Sequence, residues 1–600
     1  MCGIIGVVGH DDTLSVVLDG LSTLEYRGYD SAGVALTGDE VEVAKREGKL
    51  EVLQELLSGR ASPPSGSVGV GHTRWSTHGP PTDANAHPHT DDTGRVAVVH
   101  NGIIENYQHL RDELCDDGVT FESDTDTEVV PKLVAAALDD GHGPAAAVRH
   151  AVERLEGSYA IVVTIAGEDR LFAAREDSPL VLGLGEEAYY LASDVPAFLE
   201  HTREVVYLDD GEFVTIGADG YRVTDTDSDP VEKSSTTVDW DAEQTGKGGY
   251  DHYMLKEIHE QPTALRQSLS GRTDPLAGRV MLEEVEGLTR PEHVQFVAAG
   301  TSYHAGLYGA ELLRRAGVPA SAYLSSEYAT SPAPVSKATL VVGVTQSGET
   351  ADTLSALRAA RDRGGETLAL TNVVGSTAAR ECAHALYIRA GPEIGVAATK
   401  TFSSQLVTLN LLVEHLTGQD AGTRGLIPAL RGLPDDLQSV LDHEETTSVV
   451  DDYLGKESFF FVGRGLHHPV ALEGALKFKE ITYEHAEGFA AGELKHGTLA
   501  LVTEETPVFA VVTGDDERAR KTIGNVKEVQ ARGAPVVAVT DGVSEVERYA
   551  DRVLRVPETH ERMSPVLANV QLQLVAYHMA DRLHRSIDKP RNLAKSVTVE

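Results

Sequence analysis

The second half of the chain contains an internal repeat, which constrains the fold more than any other feature of the sequence. Three strand-and-turn segments recur in order: 294–300 with 459–463, 340–345 with 508–513, and 367–371 with 535–540. The offset between the copies is nearly constant, at about 163 to 169 residues. Strand and helix patterns alternate through both copies, as in parallel sheets covered by helices. The repeat therefore predicts two copies of one α/β unit, joined by residues 426–451.

Composition and charge exclude several classes of protein. The 600 residues contain no run of about 18 apolar residues and no secretory leader, so we expect several globular domains and no membrane span. Only three cysteines occur, which predicts a reducing cytoplasm and no disulfide framework. There are 93 acidic against 52 basic residues, a net charge of −41 spread along the chain. Such a surface disfavours nucleic acid as a partner and is typical of adaptation to high salt.

Cys2 is the first candidate catalytic residue. Removal of Met1 would leave one residue that carries both a thiol and a free α-amino group. The thiol is a good nucleophile, and α-amino groups titrate near pH 8, so Cys2 could supply both nucleophile and base. A small apolar residue at the start of a strand is the alternative, and Cys2 alone does not decide between them.

Three further motifs of the first half carry polar side chains suited to acyl chemistry. Arg74, within the motif at 72–79, could hold a carboxylate, although a salt-bridged surface loop is equally consistent. Asn101 and Gly102 follow the apolar strand 96–99 and could form an oxyanion hole or an ordinary Asn-Gly turn. Asp126 could pair with a substrate ammonium group, and its neighbours could cap the helix that follows.

In the second half, Thr345 begins a segment that follows a strand and opens a helix. Its hydroxyls, a glycine and helix N–H groups predict a phosphate cradle, although simple helix capping is the alternative. The segment lacks the Gly-Lys-Ser/Thr ending of a nucleotide P-loop. Residues 300–302 end the preceding strand and could add hydroxyls to the same crevice.

Candidate acid–base groups follow in the second copy. Lys477 and Glu480 are spaced to lie side by side on a helix, where a solvated ion pair is the alternative. His496 lies between glycines and could act as an acid or base. The last residues have no helical period and carry one lysine, Lys595, and a frayed terminus is the alternative.

Taken together, these motifs resemble the glutamine–fructose-6-phosphate aminotransferase (isomerising) family. The matching segments are collinear over nearly the whole chain: 2–6, 25–31, 72–79, 85–89, 100–106, 123–128, 300–303, 346–353, 393–396, 471–480, 490–497 and 591–600. The resemblance implies α/β and α+β domains: an N-terminal-nucleophile αββα glutaminase sandwich followed by two doubly wound parallel-sheet SIS (sugar isomerase) domains. It also implies transfer of the glutamine amide nitrogen, as channelled ammonia, to fructose 6-phosphate, which gives glucosamine 6-phosphate and glutamate without a cofactor or metal.

In the glutaminase half, the resemblance assigns roles by position. Cys2 would attack the glutamine amide with its own α-amino group as base, and Asn101 with the Gly102 N–H would stabilise the oxyanion. Arg74 would hold the α-carboxylate of glutamine, and Asp126 its α-amino group. The remaining assigned residues are two that line the pocket, Thr77 and His78, and one that gates the ammonia path, Trp75.

In the sugar half, the resemblance makes Lys595 the residue that forms a Schiff base with the C2 ketone. Glu480 would move a proton between C1 and C2 with help from Lys477. His496 would open the sugar ring from the neighbouring subunit, which implies a homodimer or a higher homo-oligomer. The residues expected to bind fructose 6-phosphate are Thr301, Ser302, Thr345, Gln346, Ser347, Thr350 and Val396.

The expected domain order is glutaminase at 2–218, the end of that domain and a linker at 219–284, SIS domains at 285–425 and 452–590, and a catalytic tail at 591–600. The sequence departs from the family at two positions where the family often has serine. Thr345 keeps the hydroxyl, and Ala398 loses it.

Three other functions account for less of the sequence. A sugar-phosphate deaminase or deglycase uses paired SIS domains but needs no glutaminase half. A sugar-phosphate-sensing regulator would need a DNA-binding module, which the sequence does not indicate. Purine-pathway amidotransferases share the Cys2 half but need a pyrophosphate-sugar site with adjacent acids after a strand, a pattern that we do not find in the sequence.

Overall fold

The computed structural model describes residues 2–75, 78–238, 247–274, 278–418 and 425–597. The chain divides into two compact units. The first comprises Met1–Thr245 together with Ala594–Glu600, and the second comprises Gly246–Leu593. Among the described residues, no helix is both long and apolar enough to cross a membrane.

Two antiparallel sheets form the first unit. Its strands are β1 (Gly3–Val8), β2 (Ser31–Thr37), β3 (Val41–Glu47), β4 (Val68–Arg74), β5 (His89–Thr90), β6 (Val96–Ile104), β7 (Gly157–Ile165), β8 (Arg170–Glu176), β9 (Val181–Leu184), β10 (Tyr189–Ala192), β11 (Glu204–Tyr207), β12 (Phe213–Gly217), β13 (Gly220–Thr224) and β14 (Thr236–Thr237). The strand order is β14-β11-β9-β10-β1-β4-β2-β3 in one sheet and β13-β12-β8-β7-β6-β5 in the other.

Helices cover the outer face of each sheet of the first unit. They are α1 (Thr13–Leu24), α2 (Leu50–Ser58), α3 (Tyr107–Asp116), α4 (Val129–Asp139) and α5 (Pro144–Val152). Helices α1 and α2 pack on the first sheet, and α3 to α5 pack on the second. The facing sides of the two sheets bury a third apolar layer, in which Ile4 and Val70 of one sheet meet Val99 and Val162 of the other. Because both faces of each sheet are buried, the strands are apolar on both sides. The predicted αββα sandwich is confirmed.

The second unit contains two five-stranded parallel sheets and a two-stranded ribbon. Its elements are α6 (Tyr253–His259), α7 (Gln261–Leu269), β15 (Thr273–Asp274), β16 (Arg279–Val280), β17 (His293–Ala298), α8 (Gly300–Arg315), β18 (Ala320–Leu324), α9 (Ser325–Thr330), β19 (Thr339–Val344), α10 (Ala351–Asp362), β20 (Glu366–Thr371), α11 (Thr377–Glu381), β21 (His384–Tyr387), α12 (Lys400–Thr417), α13 (Leu426–Asp442), α14 (Thr446–Asp452), β22 (Ser458–Gly463), α15 (His467–Thr482), β23 (His485–Ala490), β24 (Val508–Val511), α16 (Glu517–Gln530), β25 (Val536–Thr540), β26 (Arg552–Arg555) and α17 (Ser564–Arg582).

The two parallel sheets have the same topology, which confirms the internal repeat. The first repeat orders its strands β18-β17-β19-β20-β21, and the second orders them β23-β22-β24-β25-β26. Each order is 2-1-3-4-5, so each sheet has a switch point between its first and third strands, where parallel sheets bind ligands. Gly300 and Gly465 occupy the turn after the first strand of each repeat, with φ of 55° and 60°.

The region between 219 and 284, predicted as the end of the glutaminase domain and a linker, is structured at both ends. Strand β13 completes the second sheet of the first unit. Helices α6 and α7 instead contribute Met254, Ile258 and Leu265 to the core of the second unit. The polar composition near 225–237 suggested a long linker, but these short helices bury an apolar face that is too brief to stand out in the sequence.

Candidate active site

Cys2 lies immediately before β1, beside the end of β4. Strand pairing places Gly3 opposite Thr73, so Cys2 reaches the residues that follow β4. The Trp75 N–H donates to Cys2 Sγ at 3.2 Å, which orients the half-buried sulfur. The carbonyl oxygen of Cys2 accepts hydrogen bonds from Asn101 Nδ2 at 2.8 Å and from Arg27 Nε at 3.4 Å. The residue predicted as nucleophile is therefore held in place by residues distant in sequence.

The Asn101 amide has a fixed orientation. His72 Nε2 lies 3.0 Å from the His100 carbonyl oxygen and 3.1 Å from Asn101 Oδ1. Both of these atoms are acceptors, so Nε2 must carry the proton. Because Asn101 Oδ1 is occupied by His72, its amide N–H groups face Cys2. This is the orientation that an oxyanion-hole donor needs.

Gly102, the second donor predicted for the oxyanion hole, occupies a position that only glycine fits. Its φ is 129°, in a region that favours glycine. A Cβ on Gly102 would lie 2.0 Å from the Ser158 carbonyl oxygen on the paired strand. The Asn-Gly pair is thus part of strand β6, paired with β7, and not a simple turn.

Arg74 and Asp126 are both buried near Cys2, and each is held by backbone groups. The Arg74 guanidinium donates to the carbonyl oxygens of His78 and Gly79. Burial lowers the pKa of Arg74, and the nearby charges of Cys2 and Asp126 oppose that shift. Among the described residues no carboxylate lies within ion-pair distance of the Arg74 guanidinium, although the charge of Asp126 acts on it. A buried guanidinium of this kind is suited to binding a substrate carboxylate.

The other predicted residues of this site border the same region. Asp126 Oδ2 accepts from the Ile104 N–H at 2.8 Å, and its Oδ1 accepts from Thr127 Oγ1 at 3.4 Å. His78 packs its ring edge-on against Tyr107, with centroids 5.4 Å apart. Trp75 packs edge-on against Tyr29 at 5.8 Å. Thr77 lies outside the described residues.

Behind Asn101 the structure reveals a cluster of four buried histidines that the sequence did not assign: His72, His87, His89 and His100. The His72 and His87 rings stack with centroids 4.2 Å apart, and His87 meets His89 at 4.7 Å. Burial lowers the pKa of all four, and that of His72 to about 3. The cluster is therefore neutral near pH 7. No group of three or more His, Cys, Asp or Glu side chains in the described parts of the chain has a metal-binding arrangement.

We expect the histidine cluster to make the protein acid-sensitive. In the unfolded chain these histidines bind protons below about pH 6.5, whereas in the folded chain they stay neutral until much lower pH. Stability is thus fully present above pH 6.5 and falls as the pH drops below it, by about 1.4 kcal/mol per pH unit for each histidine. The melting temperature in molar KCl should fall between pH 7 and pH 5. Substituting the exposed His142 and His150 by glutamine should leave that slope unchanged, and a flat profile would contradict the prediction.

The predicted phosphate cradle of the first repeat follows β19 and precedes α10. Thr345 Oγ1 accepts from the Gly348 N–H at 3.1 Å and lies 3.4 Å from Thr350 Oγ1. Ser347 Oγ accepts from the Glu349 N–H at 3.1 Å. Gly348 has φ of 74°, and a Cβ there would lie 2.1 Å from Ser376 Oγ. The loop is compact, with hydroxyl and N–H groups at the switch point of the sheet.

In the equivalent loop of the second repeat, a carboxylate of the protein itself caps the N-terminus of the helix that follows. Asp516 caps α16, and its Oδ1 accepts from the Ala519 N–H at 2.9 Å. The Thr350 side chain makes no such cap on α10. A carboxylate at the helix N-terminus fills the place of an anion. This cap distinguishes the second repeat from the first, where the phosphate cradle is predicted.

The other residues predicted to bind the sugar are each held by contacts within the second unit. Ser302 Oγ accepts from Gln405 Nε2 at 3.0 Å, and Thr301 Oγ1 donates to Glu473 Oε1 at 3.0 Å. The Gln346 carbonyl oxygen accepts from the Asn372 N–H at 3.1 Å, which fixes the backbone of the loop. The Gln346 residue itself is half-buried. Val396 is buried in the segment before α12.

Lys477 and Glu480 form an ion pair on α15 in which the lysine is buried and the glutamate half-buried, not a solvated surface stripe. Lys477 is only 1% exposed, and its Nζ lies 2.5 Å from Glu480 Oε2 and 3.4 Å from Glu473 Oε1. Burial lowers the pKa of Lys477, but the charges of Glu473 and Glu480 outweigh burial and raise it above the ordinary value. Lys477 is thus held as a cation, which is unsuited to forming an imine and suited to assisting proton transfer.

The last two predicted catalytic residues are His496 and Lys595. His496 is exposed at the end of a short 3-10 helix, Ala491–His496. Lys595 is half-buried in the C-terminal segment, which is described as far as residue 597. Their roles remain predictions.

Comparison with known proteins finds different domain families in the first and second halves of the chain. Residues 72–200 match the family model of a glutamine amidotransferase domain, and residues 287–415 and 453–580 each match that of a SIS domain. A relative from Halobacterium salinarum, named glutamine–fructose-6-phosphate aminotransferase (isomerizing), is 52% identical over 614 residues that cover 100% of both chains. A relative of the same name from Symbiobacterium thermophilum is 50% identical over 616 residues with the same coverage.

The chain belongs to the glutamine–fructose-6-phosphate aminotransferase (isomerizing) family. A solved structure supports this membership. The C-terminal domain of glucosamine-fructose-6-phosphate aminotransferase from Francisella tularensis is 37% identical in sequence, with a TM-score of 0.54, and the match covers 57% of this chain and 100% of that one. Membership in the aminotransferase family confirms the resemblance that the motifs indicated.

Three residues of this aminotransferase-family chain contact the predicted sites without having been assigned to them. His72 orients Asn101, while Glu473 and His304 form a buried pair beside Lys477. The signal for His72 was its place in the motif at 72–79, and the signal for Glu473 was its spacing of four residues before Lys477. His304 gave no signal, because its partner lies in the other repeat.

Proposed function

We propose that the chain transfers the amide nitrogen of glutamine to fructose 6-phosphate and isomerises the product, giving glucosamine 6-phosphate and glutamate. The proposal is supported most strongly by one observation. A single chain, with relatives of that name along its full length, holds both a Cys2 site with an ordered Asn101 donor and a Lys477–Glu480 ion pair joined through Glu473 to Thr301.

In the proposed glutaminase reaction, the Cys2 sulfur attacks the amide carbon of glutamine, and its α-amino group accepts the thiol proton. Charge develops on the amide oxygen, where Asn101 Nδ2 and the Gly102 N–H donate. The C–N bond then breaks, ammonia leaves with the proton, and water hydrolyses the thioester to glutamate. Arg74 holds the α-carboxylate of glutamine and Asp126 its α-amino group throughout.

In the proposed sugar reaction, the phosphate of fructose 6-phosphate binds the loop that begins at Thr345. His496 opens the ring, and Lys595 forms an imine with the C2 ketone and is displaced by ammonia. Glu480 then takes the proton from C1 and returns it to C2, which leaves an aldehyde at C1 and the amine at C2. The Lys477 cation stabilises the charge that develops as the proton moves.

Three finer statements belong to the same proposal. Ammonia passes to the sugar site without equilibrating with water, since water would protonate it to ammonium, which is not a nucleophile. Trp75 gates the path of the ammonia. The working form is a homodimer or larger homo-oligomer, in which the exposed His496 enters the neighbouring subunit's site. The protein works in the cytoplasm as an N-terminal-nucleophile hydrolase fused to an isomerase.

The direct test of the proposed function is a coupled assay. The full chain is incubated with glutamine and fructose 6-phosphate in molar KCl, and both glucosamine 6-phosphate and glutamate are measured. We expect the two products in equal amounts. Glutamate formation without any amino sugar in the presence of fructose 6-phosphate would contradict the proposal.

We further propose adaptation to high salt, since the net charge is −41 and the relative from Halobacterium salinarum comes from a halophile. The distance over which charges repel falls from about 10 Å at 0.1 M salt to about 3 Å at 1 M. Activity and melting temperature should both rise between those KCl concentrations. Sucrose, which adds no ions, should not reproduce the rise in activity. A melting temperature that is flat or falling in KCl would contradict this prediction.

A further inference from the structure

Glu473 is the most deeply buried carboxylate beside the proposed acid–base pair. It is 0% exposed. Its Oε1 accepts from Thr301 Oγ1 at 3.0 Å and lies 3.4 Å from Lys477 Nζ, and its Oε2 accepts from His304 Nδ1 at 2.8 Å. A carboxylate is only an acceptor, so His304 Nδ1 must carry a proton. Both oxygens of Glu473 are therefore satisfied, as a buried charge requires.

These contacts join the two repeats where the proposed chemistry takes place. Thr301 and His304 are three residues apart on α8 of the first repeat, so they share one face of that helix. Glu473, Lys477 and Glu480 share one face of α15 in the second repeat. Glu473 thus joins the start of α8, which carries Thr301 and Ser302, to α15, which carries the acid–base pair.

The Lys477 ammonium lies between two carboxylates and is closer to one of them. Its Nζ is 2.5 Å from Glu480 and 3.4 Å from Glu473. Burial raises the pKa of Glu473, but the charge of Lys477 and the His304 hydrogen bond outweigh burial and lower it. Without His304, Glu473 Oε2 would lack a donor, and Lys477 would be the nearest cation to replace it. Glu393 also acts on Lys477, and His468 lies near His304.

We propose that His304 is a positioning residue for the isomerisation, which holds Glu473 so that the Lys477 ammonium is directed toward Glu480. This inference rests on the proposed sugar reaction. Loss of His304 would draw the Lys477 ammonium toward Glu473 and weaken its ion pair with Glu480. Glu480 would then be protonated at higher pH. The proton at C1 would then be removed more slowly, while the binding of the sugar phosphate would be unaffected.

The test uses the full chain with fructose 6-phosphate in D2O, and measures the exchange of the C1 proton for deuterium by NMR. The variants are His304→Leu, which removes the donor, and His304→Asn, whose side-chain amide can donate from nearly the same place. His384→Leu is the matched control, because His384 Nε2 contacts Glu366 Oε1 at the same 2.8 Å distance on strands β20 and β21. Melting temperature and KM are measured for every variant.

We expect His304→Leu to slow C1 exchange about ten- to a hundredfold at unchanged KM. The acid limb of its pH–rate profile should move to higher pH, and His304→Asn should restore both properties. His384→Leu should match the wild type. Exchange in His304→Leu at the wild-type rate would overturn the inference, and so would a slow rate that follows a fall in melting temperature and is not restored by asparagine. No exchange in the wild type would instead defeat the proposed sugar reaction, and with it this inference.

Discussion

Replacing Cys2 by alanine should abolish the use of glutamine and leave the sugar reaction intact. The Trp75 N–H holds the Cys2 sulfur and Asn101 holds the Cys2 carbonyl oxygen, so loss of this sulfur removes the proposed covalent step. We expect glutamine hydrolysis to fall by about 10⁴-fold or more. With ammonia supplied at high concentration, the variant should still convert fructose 6-phosphate to glucosamine 6-phosphate.

The matched control is Cys115→Ala, because Cys115 is an exposed free cysteine of the same unit. Its glutaminase rate should equal that of the wild type. Mass analysis of the active protein should also show that Met1 has been removed, since an amide nitrogen at Cys2 could not act as base. Glutamine-dependent synthesis that persists in Cys2→Ala would show that the nucleophile is a different residue.

Lys595→Arg should eliminate the covalent trapping of the sugar. Borohydride added with fructose 6-phosphate reduces an imine C=N bond to a stable amine, and peptide mass analysis should locate it on Lys595 of the wild type. A guanidinium stays protonated and forms no imine, so the variant should give no adduct. Synthesis of glucosamine 6-phosphate should be lost, while glutamine hydrolysis should remain.

A conservative change at a nearby lysine of the same terminal region provides the control. Lys589→Arg should keep the adduct on Lys595. Lys477 is excluded as the trapped residue on physical grounds, because neighbouring carboxylates raise its pKa and hold it as a cation. An adduct that persists in Lys595→Arg, or that maps to Lys477 or Lys400, would overturn the assignment of the imine.

The sequence predicted the architecture well where its signals were local. The apolar runs at 96–100 and 159–164 are strands of the predicted sandwich, and the offset repeat corresponds to two sheets with one topology. The Asn101-Gly102 pair was ambiguous in the sequence because a turn and a strand-end oxyanion hole use the same residues. Its φ and its contact with Ser158 depend on the pairing of β6 with β7, which only the folded chain reveals.

The contacts between residues distant in sequence could not be predicted. His304 and Glu473 lie on helices of different repeats, and their pairing depends on how α8 packs against α15. The orientation of Asn101 depends on a hydrogen bond from His72 across two strands. The spacing of Lys477 and Glu480 predicted that they would be neighbours, but burial between two carboxylates, which decides their chemistry, comes from tertiary packing.

The central claim is that one chain moves nitrogen from glutamine to the sugar. It is tested most directly by supplying [amide-15N]glutamine and fructose 6-phosphate together with an excess of unlabelled ammonium, and measuring the isotope in the amine of glucosamine 6-phosphate. The account predicts product that carries 15N with little dilution. Product whose nitrogen comes from the unlabelled pool, or glutamate formed with no amino sugar, would contradict it.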